Sequence, residues 1–429
     1  MLQRDHQMKN FAVIGNPVAH SKSPIMFNYF FKKKEVNAHY TRITAHSFID
    51  AIKTCELLSM SGINITMPFK KDACKFVDEM DNAAGSIHAV NTIVFDSRIK
   101  GYNTDVFGAL NPLKKRFKTL KGRKILIVGA GGAANAAIYS FSNTKATCYI
   151  TNRTADNGLS IAKKFNAIFY PFKRLDRILP EMDAVVYTIP VKINLDISLM
   201  NKGTLFFSAI YRDKFFKSEC KKHGIHYISG EEWLIEQGVE SCKRFGYECN
   251  IEQLRRGLTS TRKKTSISLI GFMGSGKTTI GKALASELSL NFIDLDMLIE
   301  EKEGCSIHSI FEKRGERYFR NLELHYLKTL LNKKGFLIAT GGGIVTYKHS
   351  FNILKENFFN VFLYGDISDL YNRTLHSKRP LRKDYESFLN LFEKRKNIYI
   401  ELSDLILNTS IYSIENAVRL LRSELSHLL

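Results

Sequence analysis

The feature that most restricts this chain is a glycine loop between an apolar strand and a helix. Ile267-Ser-Leu-Ile270 runs directly into Gly271-Phe-Met-Gly-Ser-Gly276-Lys277-Thr278. A G-x-x-x-x-G-K-[ST] loop holds phosphate only where a buried parallel strand meets a helix N-terminus, so that its backbone N–H groups converge. On that reading Gly274, Ser275, Gly276 and Thr279 surround the phosphates of ATP, Lys277 reaches the β/γ oxygens, and Thr278 Oγ1 is a ligand for Mg²⁺. The C-terminal part is then an α/β domain built on a parallel sheet.

A second glycine turn lies upstream, where Ile125-Leu-Ile-Val128 leads into Gly129-Ala-Gly-Gly-Ala-Ala134 and a helical stretch. Gly129, Gly131 and Ala134, with Gly132 between them, fit G-x-G-x-x-A, the turn that seats a dinucleotide pyrophosphate on a helix N-terminus. A glycine turn without a ligand is the plain alternative. The next strand ends in Asn152-Arg153-Thr154, where an acid would hold a free ribose 2′-hydroxyl. An arginine suits a 2′-phosphate, so NADP(H) is expected over NAD(H).

Apolar runs at Phe11–Ile14, Ile63–Thr66, Cys148–Thr151 and Ala184–Tyr187 alternate with amphipathic stretches of helical length. This is the rhythm of βαβ units. The expected architecture is α/β throughout. An α/β substrate domain spans 1–110, with a helix over about 231–254 packing back onto it. A Rossmann-type NADP-binding domain spans 111–254, a basic linker 255–265, and a P-loop domain of the nucleoside-monophosphate-kinase-like kind 266–429.

Net charge is +21, but residues 1–264 carry 41 Lys/Arg against 23 Asp/Glu, and residues 265–429 carry 22 against 19. A basic half attracts nucleic acid or small anions alike. With no aromatic–basic RNA motif and no helicase-like block, small anionic ligands are expected and nucleic acid is not. No apolar run approaches the roughly 18 residues that span a bilayer, and the start Met1-Leu-Gln-Arg-Asp-His6 carries no signal-type apolar stretch. No membrane association is expected. Seven scattered cysteines with no Cys-x-x-Cys pair suit free thiols in the cytoplasm.

Polar groups punctuate the strand ends of the first 110 residues: His20-Ser21-Lys-Ser23-Pro, Asn64-Ile-Thr66-Met-Pro-Phe-Lys70, Ala89-Val-Asn91-Thr and Asn103-Thr-Asp105. Singly each reads as a turn or cap. Together they supply the hydroxyls, amides, ammonium and carboxylate that a polyhydroxylated acid needs, and a Lys–Asp pair suits alcohol–ketone proton transfer. These segments, the Gly129 turn, Asn152-Arg-Thr and Gly230-Glu-Glu-Trp-Leu-Ile-Glu-Gln237 resemble shikimate dehydrogenase, in order, over about residues 10–255. The resemblance implies reduction of 3-dehydroshikimate with NADPH. It assigns Ser21 and Ser23 to the substrate carboxylate, Thr66, Asn91 and Gln237 to its hydroxyls and ring, and Lys70 with Asp105 to catalysis. Two departures, Tyr187-Thr-Ile-Pro190 and Glu232, fall where that family has small residues on the nicotinamide side.

In the last part, Phe292-Ile-Asp294-Leu-Asp296 is read as a strand carrying both carboxylates on one face, which favours a cation or a donor-rich ligand between them. Arg320, Gly341-Gly-Gly343, Arg373, Arg379-Pro-Leu and Arg395 follow. Arginines at the ends of separate elements in a phosphate-binding domain suggest bidentate anion recognition. The series resembles shikimate kinase over about 266–429. The resemblance makes Arg320, Arg395 and the Gly341, Gly342 and Gly343 backbone the shikimate clamp. Asp296 becomes the base or orienter for the 3-hydroxyl, Asp294 serves Mg²⁺ through water, Arg379 is the lid arginine, and Arg373 stacks on adenine.

The expectation is a fused, bifunctional enzyme acting on small molecules, first making and then phosphorylating shikimate. Two alternatives stand beside it: a non-catalytic first half that regulates an active kinase, and a nucleic-acid-coupled ATPase.

Overall fold

The computed structural model describes residues 8–211, 213–259, 264, 266–375 and 384–426. The chain forms two compact units, residues 1–69 with 256–429, and residues 70–255.

The first unit is built on parallel strands in the order Asn291–Asp294, Phe336–Ala339, Ser266–Ile270, Phe358–Tyr364, Leu405–Asn408, Ala38–Thr44, Lys9–Gly15 and Met60–Ile65. Helices cover such sheets on both faces, so the strands read as unbroken apolar runs rather than alternating ones. Phe358–Tyr364 and Ser266–Ile270 are buried at every position. The one amide in the former, Asn360, is satisfied by donating to Phe358 O at 3.0 Å and by accepting from Ser268 Oγ at 2.6 Å.

Residues 1–69, expected within a substrate domain over 1–110, group with the P-loop part. Strand Leu405–Asn408 pairs with Ala38–Thr44, aligning Ile406 with Ile43. Thr41 Oγ1 lies 2.9 Å from Ser403 Oγ, and Lys264 Nζ lies 2.7 Å from Asp404. An edge strand leaves a row of backbone donors and acceptors that must be covered or paired. Here the edge of the P-loop sheet and the edge of the N-terminal sheet satisfy one another. The expected linker also changes character. Helix Ile251–Thr259 takes in residues 255–259, because Ile251, Leu254 and Leu258 keep a helical apolar spacing beneath the basic charges. The helix expected over about 231–254 is in fact two, Gly230–Arg244 and Ile251–Thr259.

The second unit carries a six-stranded parallel sheet in the order His226–Ile228, Leu205–Ser208, Ala184–Tyr187, Lys124–Val128, Thr147–Thr151 and Ile168–Phe169. Counted along the chain, this is the doubly wound order of a dinucleotide-binding fold. Strand alternation sends Ile125 and Ile127 to one core with Phe141 and Phe207. It sends Leu126, Val128 and Tyr187 to the other with Phe206 and Phe216. Helix Asp105–Phe117 packs along Gly230–Arg244. The contact is close enough that a Cβ on Gly108 would sit 2.5 Å from Trp233 Cδ1.

Trp233 is the only tryptophan in the chain, so this contact can be followed directly. Gly108→Ala should cost about 1–3 kcal/mol through overpacking and red-shift Trp233 emission. Urea unfolding and the native emission spectrum check both.

Candidate active sites

In the second unit, Lys70 stands in the turn before the short helix Asp72–Lys75, and Asp105 is the first residue of Asp105–Phe117. Lys70 Nζ lies 2.5 Å from Asp105 Oδ2. Trp233 Nε1 donates to the other oxygen, Oδ1, at 3.4 Å. The ammonium is thus held beside its counter-charge.

Around this pair lies a buried hydrogen-bonded cluster. Asn91 Oδ1 accepts from Thr104 N at 2.7 Å and from Thr104 Oγ1 at 3.1 Å. Gln237 Oε1 accepts from Thr104 Oγ1 at 3.3 Å, while its Nε2 donates to Leu234 O at 3.1 Å. The structure thus brings Asn91 and Gln237 onto one hydroxyl. Tyr211 was not anticipated from sequence. Burial and the charge of Asp105 push its phenol above the usual range. Its signal was positional: it lies just past Leu205–Ser208, at the carboxyl end of a parallel strand, where α/β ligands gather.

The dinucleotide turn is at the carboxyl end of the sheet's central strand. Gly129 has φ +120°, and a Cβ there would meet Thr188 Oγ1 at 2.4 Å. Gly131 caps helix Gly132–Ser142 without any side chain, leaving the first backbone N–H groups facing outward for an anion. Ala134 is buried and lets the helix approach the sheet. Asn152 Nδ2 donates to Thr154 O at 2.9 Å, which shapes the turn and leaves Arg153 exposed beside it.

Of the departures from the family pattern, the Tyr187–Pro190 segment borders the dinucleotide turn, where Thr188 Oγ1 donates to Val128 O at 2.9 Å. The Tyr187 ring is in the core, 4.7 Å from Phe216, and its hydroxyl donates to Val191 O at 2.5 Å. Strand alternation turns it away from the turn side. Glu232 is held in a two-point ion pair by Arg255, with Nη2 3.0 Å from Oε2.

In the other unit, Ser21 and Ser23 hydroxyls lie 3.4 Å apart at the start of helix Ser23–Lys33. Thr66 follows strand Met60–Ile65, its N–H donating to Ile14 O at 2.9 Å.

The P-loop of the same unit curls around Lys277, whose ammonium donates to Gly271 O at 2.9 Å and Phe272 O at 3.0 Å. Thr278 Oγ1 donates to Asp294 Oδ2 at 2.6 Å. A hydroxyl and a carboxylate side by side at a phosphate loop form the hard oxygen set that suits Mg²⁺. Asp294 and Asp296 do not share a strand face. The strand ends at Asp294, which caps helix Leu295–Glu303 by accepting from Asp296 N at 3.1 Å. Backbone donors at a helix start outcompete continued extension.

Two cavities meet at Asp296. One of about 600 Å³ is lined by Gly274–Thr279, Asp294, Asp296 and Arg373. Another of about 840 Å³ is lined by Asp296, Arg320, Gly341–Gly343 and Arg395. Arg395 Nη1 donates to Gly342 O at 3.4 Å, and the Tyr399 hydroxyl donates to the same carbonyl. Arg373 Nη2 donates to Thr409 O at 3.2 Å. Arg379 lies outside the described residues. Arg320 Nη1 is 2.6 Å from Glu323, a fully buried carboxylate that its sequence context does not single out. Burial pushes Glu323 up to about 7 against the opposing pull of Arg320.

A dinucleotide fold with a Lys–Asp pair, joined to a P-loop fold with an arginine-lined cavity, defines a chain with an oxidoreductase part and a phosphotransferase part. Family models match in the same order: Shikimate dehydrogenase substrate binding domain over 13–93, Shikimate / quinate 5-dehydrogenase over 112–195, and Shikimate kinase over 273–426. The shikimate dehydrogenase (NADP(+)) of Methanothrix thermoacetophila is 33% identical over 241 residues, 54% of this chain and 89% of the relative. The shikimate kinase of a Sulfurihydrogenibium species is 44% identical over 136 residues, 31% of this chain and 82% of the relative. The structure of Thermus thermophilus shikimate dehydrogenase with NADP(H) and shikimate is 27% identical and has a TM-score of 0.54. It covers 59% of this chain and 99% of that chain. The chain belongs to the shikimate dehydrogenase family in its first part and to the shikimate kinase family in its second.

The raised Glu323 carboxyl makes stability depend on pH. Its unfolded value is 4.5 and its folded value about 7, so the folded chain binds an extra proton between them. That stabilisation is complete below the lower value and is lost as pH rises through the higher one. It should fall by about 1.4 kcal/mol between pH 6 and 8. In Glu323→Gln the fall should vanish, which melting curves of both proteins at the two pH values would show.

Proposed function

We propose that this chain reduces 3-dehydroshikimate to shikimate with NADPH and then phosphorylates the shikimate 3-hydroxyl with Mg-ATP. The observation that carries the reading is the Lys70–Asp105 contact of 2.5 Å in a chain whose P-loop part brings Asp296 to the border of both its cavities.

In the first step the nicotinamide, when bound, supplies the hydride. Lys70 gives its proton to the oxygen that becomes the alcohol, and Asp105 keeps the ammonium aimed. Ser21 and Ser23 hold the substrate carboxylate; Thr66, Asn91, Gln237 and Tyr211 hold its hydroxyls and ring. Arg153 pairs with the 2′-phosphate of the cofactor, and the Gly129–Ala134 turn receives its pyrophosphate.

In the second step Arg320, Arg395 and the Gly341–Gly343 backbone clamp shikimate, and Asp296 accepts the proton of the attacking hydroxyl. Lys277 and Arg379 neutralise charge growing on the transferred phosphoryl group, and Arg373 stacks on adenine. Thr278 and Asp294 would hold Mg²⁺, which adds to that neutralisation. Phosphoryl transfer needs little covalent help beyond such positioning.

The rival reading of a non-catalytic first part rests on the Tyr187–Pro190 segment and Glu232. NADPH oxidation with 3-dehydroshikimate discriminates between the two readings. A cytoplasmic setting agrees with seven cysteines that are all free thiols and with described helices too short or too polar to cross a membrane.

A single coupled assay with 3-dehydroshikimate, NADPH and Mg-ATP should yield shikimate 3-phosphate by mass. Phosphorylation of added shikimate without any NADPH oxidation would favour the regulatory reading. Lys70→Ala should slow reduction by about 100-fold or more while shikimate phosphorylation continues at its normal rate. The unmodified chain should prefer NADPH to NADH by at least about tenfold in kcat/KM, the scale of one charge-assisted contact. Arg153→Ala should erase most of that preference by raising the KM for NADPH; equal use of both cofactors by the unmodified chain would refute the assignment.

A further inference from the structure

Glu424 belongs to the last helix, Ile414–Leu425, in the kinase part of the chain, yet its carboxylate touches no kinase group named above. It is buried, with 1% of its surface exposed. Its Oε2 accepts from Val18 N at 2.8 Å and from Ala19 N at 2.7 Å, and its Oε1 accepts from Thr44 Oγ1 at 2.6 Å. Those two amides begin the turn that ends in Ser21 and Ser23, and Ser21 N donates back to Val18 O at 2.9 Å.

Arg42 holds the other end of the same turn. Its Nε and Nη2 donate to Ser21 O at 3.0 and 2.6 Å, while its Nη1 donates to Asp404 O at 2.8 Å in the kinase part. One guanidinium therefore spans a dehydrogenase carbonyl and a kinase carbonyl. Burying a carboxylate is costly unless donors surround it. Burial raises the Glu424 carboxyl, and the Thr44, Ala19 and Val18 bonds pull against that rise. Such an arrangement is more than either edge needs for strand pairing.

We infer that Glu424 is a positioning residue for the dehydrogenase: the kinase part fixes the Val18–Ser23 turn and, through it, the two serine hydroxyls that receive the substrate carboxylate. The inference rests on the reading of Ser21 and Ser23 given under the proposed function. It makes reduction depend on the physical presence of the kinase part, with no exchange of ligands between sites. Two charge-assisted bonds to backbone amides fix the turn, and losing them frees both hydroxyls together.

The test uses the full-length chain with Glu424→Ala, Glu424→Gln and Ser21→Ala. In Glu424→Ala the KM for 3-dehydroshikimate should rise about tenfold, while kcat and the KM for NADPH stay within about twofold; shikimate phosphorylation serves as the check on folding. Glu424→Gln should recover to within about threefold of the unmodified value, since its amide oxygen can still accept from Val18 N and Ala19 N. A merely structural role would lower kcat for both substrates and would show no such recovery. If Glu424→Ala does not fold, Thr44→Val removes only one bond to the carboxylate and should raise the same KM about threefold. An unmoved KM in the Glu424 variants, or in Thr44→Val where it replaces them, overturns the inference. If Ser21→Ala raises the KM in that same series, the serine reading survives alone. If Ser21→Ala is silent as well, both fall.

Discussion

Parallel strand pairing is the constraint from which the rest of the structure follows. A parallel pair needs a crossover, and the crossover returns the chain to the same end of the sheet each time. Every strand then delivers its next residue to one rim, and helix N-termini collect there with their unpaired N–H groups. In the dinucleotide unit Val128 hands over to Gly129, Thr151 to Asn152 and Arg153, and Ser208 to the segment bearing Tyr211. In the P-loop unit Ile270 hands over to Gly271, Asp294 caps its own helix, and Ala339 leads to the Gly341–Gly343 backbone. The residues proposed for chemistry are therefore neighbours by topology before any side chain is chosen.

Two buried carboxylates show how differently such a rim and such an edge are stabilised. Glu323 has a guanidinium partner, Arg320, in the wall of the larger kinase cavity, and its carboxyl still rises toward neutrality because burial wins. Glu424 has no cation in direct contact among the described residues and leans on backbone and hydroxyl donors instead. A charged partner can be recruited by a ligand's carboxylate; a set of amides cannot leave. The first arrangement suits a binding site and the second suits a fixed joint.

That joint also accounts for the grouping of residues 1–69 with 256–429. Two separate α/β cores would each leave a strand edge to protect. Pairing Ile406 with Ile43, and tying Thr41 to Ser403 and Arg42 to Asp404, protects both edges at once. The Tyr412 hydroxyl adds a bond of 3.2 Å to Asp50 Oδ2, and the same tyrosine lines the nucleotide cavity. The fusion has become part of the fold.

Much of this was legible in the chain itself. Apolar runs ending in Gly129-Ala-Gly-Gly and Gly271-Phe-Met-Gly-Ser-Gly-Lys-Thr carry their strand, turn and helix in local order, because phosphate seats are built from consecutive backbone N–H groups. The polar residues at strand ends were visible for the same local reason. What sequence could not decide was anything set by packing between distant segments. Whether Asp294 continues a strand or caps a helix depends on which backbone donors reach it. Whether Tyr187 faces a ligand or a core depends on the twist and neighbours of its strand. The linker concealed a helix because charge on one face masked apolar spacing on the other. Glu424 carries no local mark at all: one glutamate in a C-terminal amphipathic helix reads as solvated until tertiary structure closes Val18, Ala19 and Thr44 around it, since burial and donor geometry are properties of the assembled sheet and not of the residues that compose it.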